Sequence, residues 1–408
     1  MRFESFIASR IIRNKPYKNT ISAPIIKISI LSITLGLVMM MVSISSGKGL
    51  QKTIQNKMSS FFGHISISNF QNNSSQSSLK PISINQDFNN DKNPNIYHIQ
   101  TVAYKSAVIT TETTFEGVVL KGINKDFNYA EFSNYIVQGR LPSKTKEINN
   151  EVIISEYLSK RLSINLDEKF NTTFFKKGYS RPNERNFKVV GIFNSGLIEF
   201  DQTYFLGDIR HIQMMNNWDL NQIGSFEIFI KDFDAISEIS NELYKNTPPN
   251  LDVIGIADKF PDIFNWIALF DMNILVIIVI MILVGGINMI TALLVTILEK
   301  TKLIGVLRVM GTRQDSIRYI FLSNGVFLIS IGLFIGNIIG LGLIFFQKLT
   351  GYIKLNPETY YVSVVPLDLD FINILSLNLG ILFFCLLMLI IPSYVIERIS
   401  PSESLKIN

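Results

Sequence analysis

Four long apolar runs are the strongest constraint on how this 408-residue chain folds. They occupy residues 25–48, 266–298, 317–346 and 371–396. Each is at least about 20 residues long, which is the length that a helix needs to cross a bilayer. The segment 49–265, between the first two runs, is polar. We therefore expect a membrane protein with four transmembrane helices and a large extracytoplasmic domain between helices 1 and 2.

The segment 49–265 has the pattern of an α+β domain. The first apolar helix is expected to continue beyond the membrane as a stalk to about Phe62. Glu156–Leu162 is typical of a short helix. Short runs rich in β-branched and aromatic residues indicate strands, among them Val102–Thr110, Phe115–Leu120, Phe187–Phe193 and Phe226–Ile230.

The positions of the basic residues predict the orientation in the membrane. Lysine and arginine are frequent in the N-terminal segment 1–24, which has the pattern of an amphipathic surface helix, and in the loop 299–316. The loop 347–370 contains only two lysines. By the positive-inside rule, both termini, including the tail 397–408, and the loop 299–316 are cytoplasmic, and the other loops are external.

The composition argues against several classes of function. The net charge of +5 is modest, and aromatic residues do not alternate with basic stripes, so we expect no binding of nucleic acid. The single cysteine, Cys385, lies in an apolar run and forms no disulfide within the chain. The three histidines lack metal-ligand spacing, so no metal site is expected. Gly47-Lys48 lacks the remainder of a phosphate loop, and no catalytic constellation is visible, so we expect neither enzymatic activity nor a cofactor on this chain.

The basic segment between the second and third apolar runs has a helical apolar pattern. Ile304, Leu307 and Met310 recur at helical spacing, and Leu303 and Val306 widen the same face. The pattern indicates a short amphipathic helix at the membrane surface. From the residues alone, this helix either lies on lipid headgroups or docks in a groove of another protein.

Two signals predict the ends of the helices around this segment. Gly311 is a plausible helix stop. Thr312, with Asp315 three residues later, is expected to cap the start of the third span.

The third apolar run contains a regular glycine pattern. Gly332, Gly336 and Gly340 recur every fourth residue, which predicts a face for close helix packing. Asn288, which is polar within the second run, is expected to bond to another helix.

The run EKTKLIGVLRVMGTRQDSI, Glu299–Ile317, resembles the coupling segment of the FtsX/MacB family of ABC-transporter permeases, which typically reads E-K/R-x-x-E-I-G-x-L-R/K-A-x-G-A. Leu303 replaces the family's usual acidic residue, and Thr312 stands where alanine is frequent. Neither change removes the apolar face. The resemblance implies that an ATPase subunit is contacted through Glu299, Lys300, Lys302, Ile304, Gly305, Leu307, Arg308, Met310, Gly311 and Thr312.

The external segment is similar to the lipoprotein-releasing permeases LolC and LolE within that family. The similarity lies in GVVLKGINKDF (Gly117–Phe127), VQGRLP (Val137–Pro142) and EVIISEYLSKRLSI (Glu151–Ile164). In one subunit of that group, a hairpin engages a soluble periplasmic carrier. Here it corresponds to Thr172–Asn186, although an ordinary basic hairpin fits these residues as well. The implied carrier-binding residues are Phe174, Phe175, Lys177, Tyr179, Arg181 and Pro182.

The resemblance also implies a function and a set of partners. The chain is expected to be an inner-membrane permease subunit that works with a dimer of a cytoplasmic ABC ATPase, which holds ATP and Mg. Further expected partners are a second permease copy or a paralogue, membrane lipid, a lipoprotein cargo and a periplasmic lipoprotein carrier. The implied cavity residues for the acyl chains are Met40, Met41, Ile44, Trp266 and Phe270, for which ordinary packing or lipid contact is the alternative. Alternative functions are an FtsX-type mechanotransmission permease that controls cell-wall hydrolases and a MacB-type efflux permease.

Overall fold

The computed structural model describes residues 22–74, 80–84, 93–112, 114–175 and 182–394. The predicted N-terminal surface helix, up to residue 21, and the tail 397–408 lie outside the described residues. The helices, in chain order, are α1 (Ser22–Phe62), α2 (Tyr129–Phe132), α3 (Glu156–Leu162), α4 (Ile198–Thr203), α5 (Arg210–Asn216), α6 (Ile236–Asn246), α7 (Ile256–Lys259), α8 (Pro261–Glu299), α9 (Thr301–Val309), α10 (Gln314–Thr350), α11 (Pro357–Tyr360) and α12 (Phe371–Ser393).

Helices α1, α8, α10 and α12 are long and apolar enough to cross a membrane, and they are the four such helices among the described residues. The chain divides into two compact units. The membrane unit contains the chain up to Gln51, Ile267–Lys354 and the chain from Val364 onward. The soluble unit contains Lys52–Trp266 and Leu355–Ser363. Helix α1 has 41 residues and is therefore about 60 Å long, roughly twice the thickness of the hydrocarbon core.

Glycine contacts fix the packing of α1 on α10 in the membrane unit. A Cβ atom at Gly332 would lie 2.8 Å from Ile33 Cγ2, and one at Gly340 would lie 2.9 Å from Met41 Sδ. The predicted glycine face is therefore confirmed, since only the absence of side chains lets these helices approach so closely.

Polar side chains also join the apolar helices. Asn288 Nδ2 of α8 donates to Ser32 Oγ of α1 at 2.6 Å, and Ser29 Oγ donates to the Asn288 carbonyl oxygen at 2.9 Å. These bonds confirm the expectation for Asn288. Asn337 of α10 and Asn378 of α12 exchange amide hydrogen bonds of 2.7 and 3.1 Å. Each pair satisfies polar groups that are costly to leave unpaired in lipid.

The soluble unit is built on a ten-stranded mixed sheet. The strands are β1 (Ile65–Asn69), β2 (Ile82–Ser83), β3 (Ile96–Thr110), β4 (Phe115–Ile123), β5 (Ile136–Gly139), β6 (Glu151–Ser155), β7 (Lys169–Phe174), β8 (Asn183–Phe193), β9 (Tyr204–Asp208), β10 (Gln222–Ile223), β11 (Ser225–Ile230) and β12 (Leu251–Gly255). The strand order of the sheet is β12-β1-β11-β3-β4-β9-β6-β8-β5, and β7 pairs with both β3 and β8. Strands β4 and β9 pair in parallel, as do β6 and β8.

Helix α1 ends inside the core of the soluble unit. Gly63 has a φ of 72°, and its N–H donates to the Ser59 carbonyl oxygen at 2.8 Å, so the chain leaves the helix in a left-handed conformation that glycine adopts readily. Phe61 is buried, and its ring centre lies 4.1 Å from that of Phe200. The Phe62 ring lies 4.6 Å from that of Phe260. The last turn of α1 is therefore held by aromatic packing.

The loop before the fourth apolar helix contributes a segment to the soluble unit. Lys57 Nζ donates to the Tyr361 carbonyl oxygen at 2.9 Å. The Trp266 ring lies 6.3 Å from the Tyr360 ring and 6.0 Å from the Tyr361 ring. Leu355–Ser363 thus packs on the soluble unit, a contact that the sequence pattern did not predict.

His64 predicts a pH dependence of stability. It is buried at the start of the soluble unit, its Nδ1 accepts from the Ile230 N–H at 3.3 Å, and burial lowers the pKa of His64 from 6.5 to about 4. The unfolded chain binds the proton first, so the stabilisation is complete above pH 6.5 and is lost as the pH falls toward 4. We expect the free energy of unfolding to fall by about 2 kcal/mol between pH 7 and pH 5 from this group.

The measurement is thermal unfolding of the purified protein across that pH range, in parallel with the His64→Asn variant. The variant is expected to show a shallower decline in its unfolding midpoint. Equal slopes for the two proteins would contradict the assignment to His64.

Candidate functional site

Helix α9 lies between the second and third membrane helices and has very short connections. A single residue, Lys300, separates it from α8. The Lys300 N–H donates to the Thr296 carbonyl oxygen at 3.1 Å, and the Ile304 N–H donates to the Lys300 carbonyl oxygen at 2.9 Å. Because the hydrogen bonds continue through the junction, α9 is held directly on the end of α8.

A Schellman motif ends α9. The Gly311 N–H donates to the Arg308 carbonyl oxygen at 3.0 Å, and the Thr312 N–H donates to the Leu307 carbonyl oxygen at 3.0 Å. Gly311 has a φ of 82°, so the prediction of a helix stop is confirmed. The predicted capping role of Thr312 is wrong, because its N–H completes this motif and the cap position of α10 falls to Arg313, whose side chain makes no capping bond.

The apolar residues of α9 do not form one exposed face. Ile304 and Leu307 are 0% and 5% exposed and pack in the core of the membrane unit. Val306, Val309 and Met310 are 45%, 67% and 76% exposed. The predicted face of Ile304, Leu307 and Met310 is therefore divided between packing inside this chain and an outward apolar surface. We call the three exposed residues, Val306, Val309 and Met310, the outer surface of α9.

The remaining candidates of this segment differ in exposure. Lys302 and Glu299 are exposed, and Lys300 and Arg308 are half-buried. Gly305 is buried. A basic and apolar surface of this kind suits a partner protein with an apolar groove and acidic rim. The sequence pattern did not single out Val309 as a contact residue. Its exposure can be predicted only when the side of the helix that packs inside the chain is known.

The carrier-binding hairpin is only partly covered by the structure. Its strands are β7 and β8, paired in antiparallel register from Lys169–Lys188 to Phe174–Asn183. Phe174, a predicted carrier contact, is fully buried in this chain, so its side chain is not exposed to a partner. Phe175 and Pro182 are exposed. Lys177, Tyr179 and Arg181 lie outside the described residues.

The predicted acyl-chain residues differ in burial. Met40, Met41 and Ile44 are buried in the core of the membrane unit. Met41 packs on Gly340 of the same chain. Phe270 is half-buried in α8, and Trp266 packs on Tyr360 and Tyr361. The large apolar side chains that are exposed on α1 are Ile28, Leu31, Leu35 and Met39.

Within the described residues, no group of three or more histidine, cysteine, aspartate or glutamate side chains is placed to hold a metal ion.

Family comparison supports this architecture. The family described as MacB-like periplasmic core domain matches residues 28–243, more than half of the chain. The chain belongs to the FtsX/MacB permease family. The family described as FtsX-like permease C-terminal matches residues 275–401 of this FtsX/MacB permease, a range that includes α9.

Relatives of this FtsX/MacB permease cover nearly its whole length. The lipoprotein-releasing system transmembrane protein LolC of Buchnera aphidicola subsp. Schizaphis graminum is 24% identical over 406 residues, or 98% of each chain. The corresponding LolE protein of Haemophilus influenzae is 21% identical over 420 residues, again 98% of each chain. The solved periplasmic region of MacB from Actinobacillus actinomycetemcomitans aligns with 50% of this chain and 94% of its own, with 16% identity and a TM-score of 0.33.

Proposed function

We propose that this chain is the permease subunit of an ABC transporter that releases lipoproteins from the inner membrane. The observation that carries the proposal is similarity to proteins named as lipoprotein-releasing permeases over 98% of both chains. The four membrane helices and the MacB-like domain supply the architecture that such a subunit needs. ATP hydrolysis belongs to a separate subunit, which holds ATP and Mg.

The outer surface of α9 is the proposed contact with that ATPase. Val309 and Met310 expose apolar side chains on the helix that also carries the exposed basic residue Lys302. Because α9 joins α8 through one residue and joins α10 through residues 310–313, movement of α9 displaces both membrane helices. The positive-inside pattern supports a cytoplasmic location for α9 and for both termini.

Movement of these helices is the proposed means of extracting the cargo. Each CH₂ group of a buried acyl chain contributes about 0.8 kcal/mol of membrane affinity, so a lipoprotein with several chains does not leave the bilayer without an energy source. The soluble domain then passes the lipoprotein to a periplasmic carrier, with Phe175 and Pro182 at the described edges of the carrier-binding hairpin. A second permease copy, or a paralogue, completes the membrane part of the transporter.

Affinity purification followed by a release assay tests this function. We expect an ABC ATPase and lipoprotein to co-purify with the full-length chain in detergent. After reconstitution of that complex in proteoliposomes, ATP and the carrier are expected to convert membrane-bound lipoprotein to soluble lipoprotein. An ATPase found with a cell-wall hydrolase and no lipoprotein would instead support mechanical signalling, and absence of an ATPase would contradict the role of α9.

A further inference from the structure

A group of charged and polar side chains lies at the end of α1, on the sheet of the soluble unit, and three of its five members are buried. Its members are Gln100, Tyr104, Lys121, Glu227 and Lys259, and we call it the charge cluster. Glu227, at its centre, is 0% exposed. It lies in β11, which pairs with β1 on one side and β3 on the other.

Glu227 is fully satisfied by its neighbours. Gln100 Nε2 donates to Glu227 Oε2 at 2.7 Å, and the Tyr104 hydroxyl donates to Glu227 Oε1. Lys121 Nζ lies 2.9 Å from both carboxylate oxygens in an ion pair whose side chains are 1% and 0% exposed. Such complete pairing is required for a charge taken this far from water.

The strand register explains why these side chains converge. Glu227 of β11 is opposite Gln100 of β3, and Tyr104 of β3 is opposite Lys121 of β4. Directly opposed residues project to the same face of a sheet, and so do Gln100 and Tyr104, four residues apart in one strand. Three adjacent strands therefore contribute to one face.

Lys121 joins this face to the end of helix α1. Its Nζ donates to the carbonyl oxygen of Phe61, in the last turn of the helix. The final carbonyl groups of a helix have no partner within the helix, and a cation near them is favourable for the helix dipole. One lysine thus bonds both to Glu227 of the sheet and to the backbone of a membrane helix.

Lys259 joins the cluster to the beginning of helix α8. It lies two residues before Pro261, the first residue of that helix. Lys259 Nζ lies 5.3 Å from the Phe62 ring centre and 5.6 Å from the Tyr104 ring centre, which are cation–π distances. Burial is the main cause that lowers the pKa of Lys259 to about 8, although Glu227 opposes this shift.

We propose that the charge cluster, through Lys121 and Glu227, positions the end of α1 on the sheet so that displacement of this helix moves the soluble domain. This inference rests on the proposed function for its link to lipoprotein release. A buried ion pair adds little stability compared with apolar residues of similar size, whereas it does specify geometry through directional bonds. The bond from Lys121 to the Phe61 carbonyl oxygen is a positioning contact of this kind.

The test uses the full-length transporter complex with the double variant Lys121→Met/Glu227→Gln. Each single variant leaves an unpaired buried charge and is expected to lower the unfolding midpoint. The double variant removes both charges, so we expect it to recover most of that loss. It still lacks the donor to Phe61, and lipoprotein released per ATP hydrolysed is expected to fall by about fivefold or more.

The matched control is Arg140→Met/Glu151→Gln. Arg140 and Glu151 form an ion pair in the same domain, with side chains 54% and 21% exposed, and the contacts of that pair include neither α1 nor α8. This double variant is expected to keep the wild-type release ratio. A folded Lys121→Met/Glu227→Gln protein with the wild-type ratio would overturn the inference, as would equal loss in the control.

Amide hydrogen exchange separates failure of the inference from failure of the proposed function. The exchange of residues 59–64 is expected to rise by about tenfold in Lys121→Met/Glu227→Gln and to stay unchanged in the control pair. If the wild-type protein releases no lipoprotein but this exchange pattern is found, the proposed function is wrong and the positioning contact stands. Unchanged exchange in the cluster variant overturns the positioning role.

Discussion

Replacing Gly336 with leucine is expected to prevent correct packing of the membrane helices. A Cβ atom at this position would lie 3.0 Å from Leu37 Cδ2 and 3.2 Å from the Thr34 carbonyl oxygen. The second contact is with backbone, which does not move aside as a flexible side chain does. Overpacking of this kind lowers the free energy of unfolding by about 3 kcal/mol, and more where backbone must shift.

Gly342→Leu provides a control on the same helix. A Cβ atom at Gly342 would meet nothing within 4 Å, and the residue is exposed. Both variants gain the same helix propensity, so their difference reports the packing alone. The measurements are the monodisperse fraction after detergent extraction and the midpoint of thermal unfolding. Equal results for Gly336→Leu and Gly342→Leu would contradict the proposed α1–α10 contact.

Substituting Met310 with aspartate is expected to release the ATPase from a folded permease. Burial of a methionine side chain contributes about 1.5–3 kcal/mol, which corresponds to about 10- to 100-fold in affinity. The introduced carboxylate also loses solvation in an apolar groove, which weakens binding further. Since Met310 is 76% exposed in this chain, the stability of the permease itself should change little.

The readout for Met310→Asp is the amount of ATPase that co-purifies with the permease. Met214→Asp serves as the matched control, because Met214 is also exposed but lies in helix α5 of the soluble unit. Leu307→Asp is a poor test, since Leu307 is 5% exposed and its substitution disrupts the membrane unit. Wild-type recovery of the ATPase with Met310→Asp would exclude the outer surface of α9 as the contact.

The apolar helices and their glycine face were predictable from the sequence because their cause is local. About 20 apolar residues predict a membrane helix wherever they occur. Residues that recur every fourth position share one face of a helix. The spacing of Gly332, Gly336 and Gly340 therefore predicts the close helix contact by itself. Similarly, Gly311 ends α9 through the conformation of a single residue.

The faces of α9 and the charge cluster were not predictable because they depend on distant parts of the chain. Ile304 and Met310 are both apolar, and only the neighbouring helices decide which one is buried. Lys121 and Glu227 are separated by 106 residues along the chain, and each resembles a solvent-facing charge in an alternating strand. Their strands are covered on both faces, so the usual alternation fails.

The contribution of Leu355–Ser363 to the soluble unit bears on how that unit is prepared by itself. A fragment that begins at Lys52 and ends at Trp266 omits these residues, although it retains every strand from β1 to β12. Trp266 would then lose the rings of Tyr360 and Tyr361, and Lys57 would lose its carbonyl acceptor. A secreted version that carries residues 355–363 on a flexible tether is therefore the better antigen and crystallisation target, because it restores this missing patch without any lipid-facing helix.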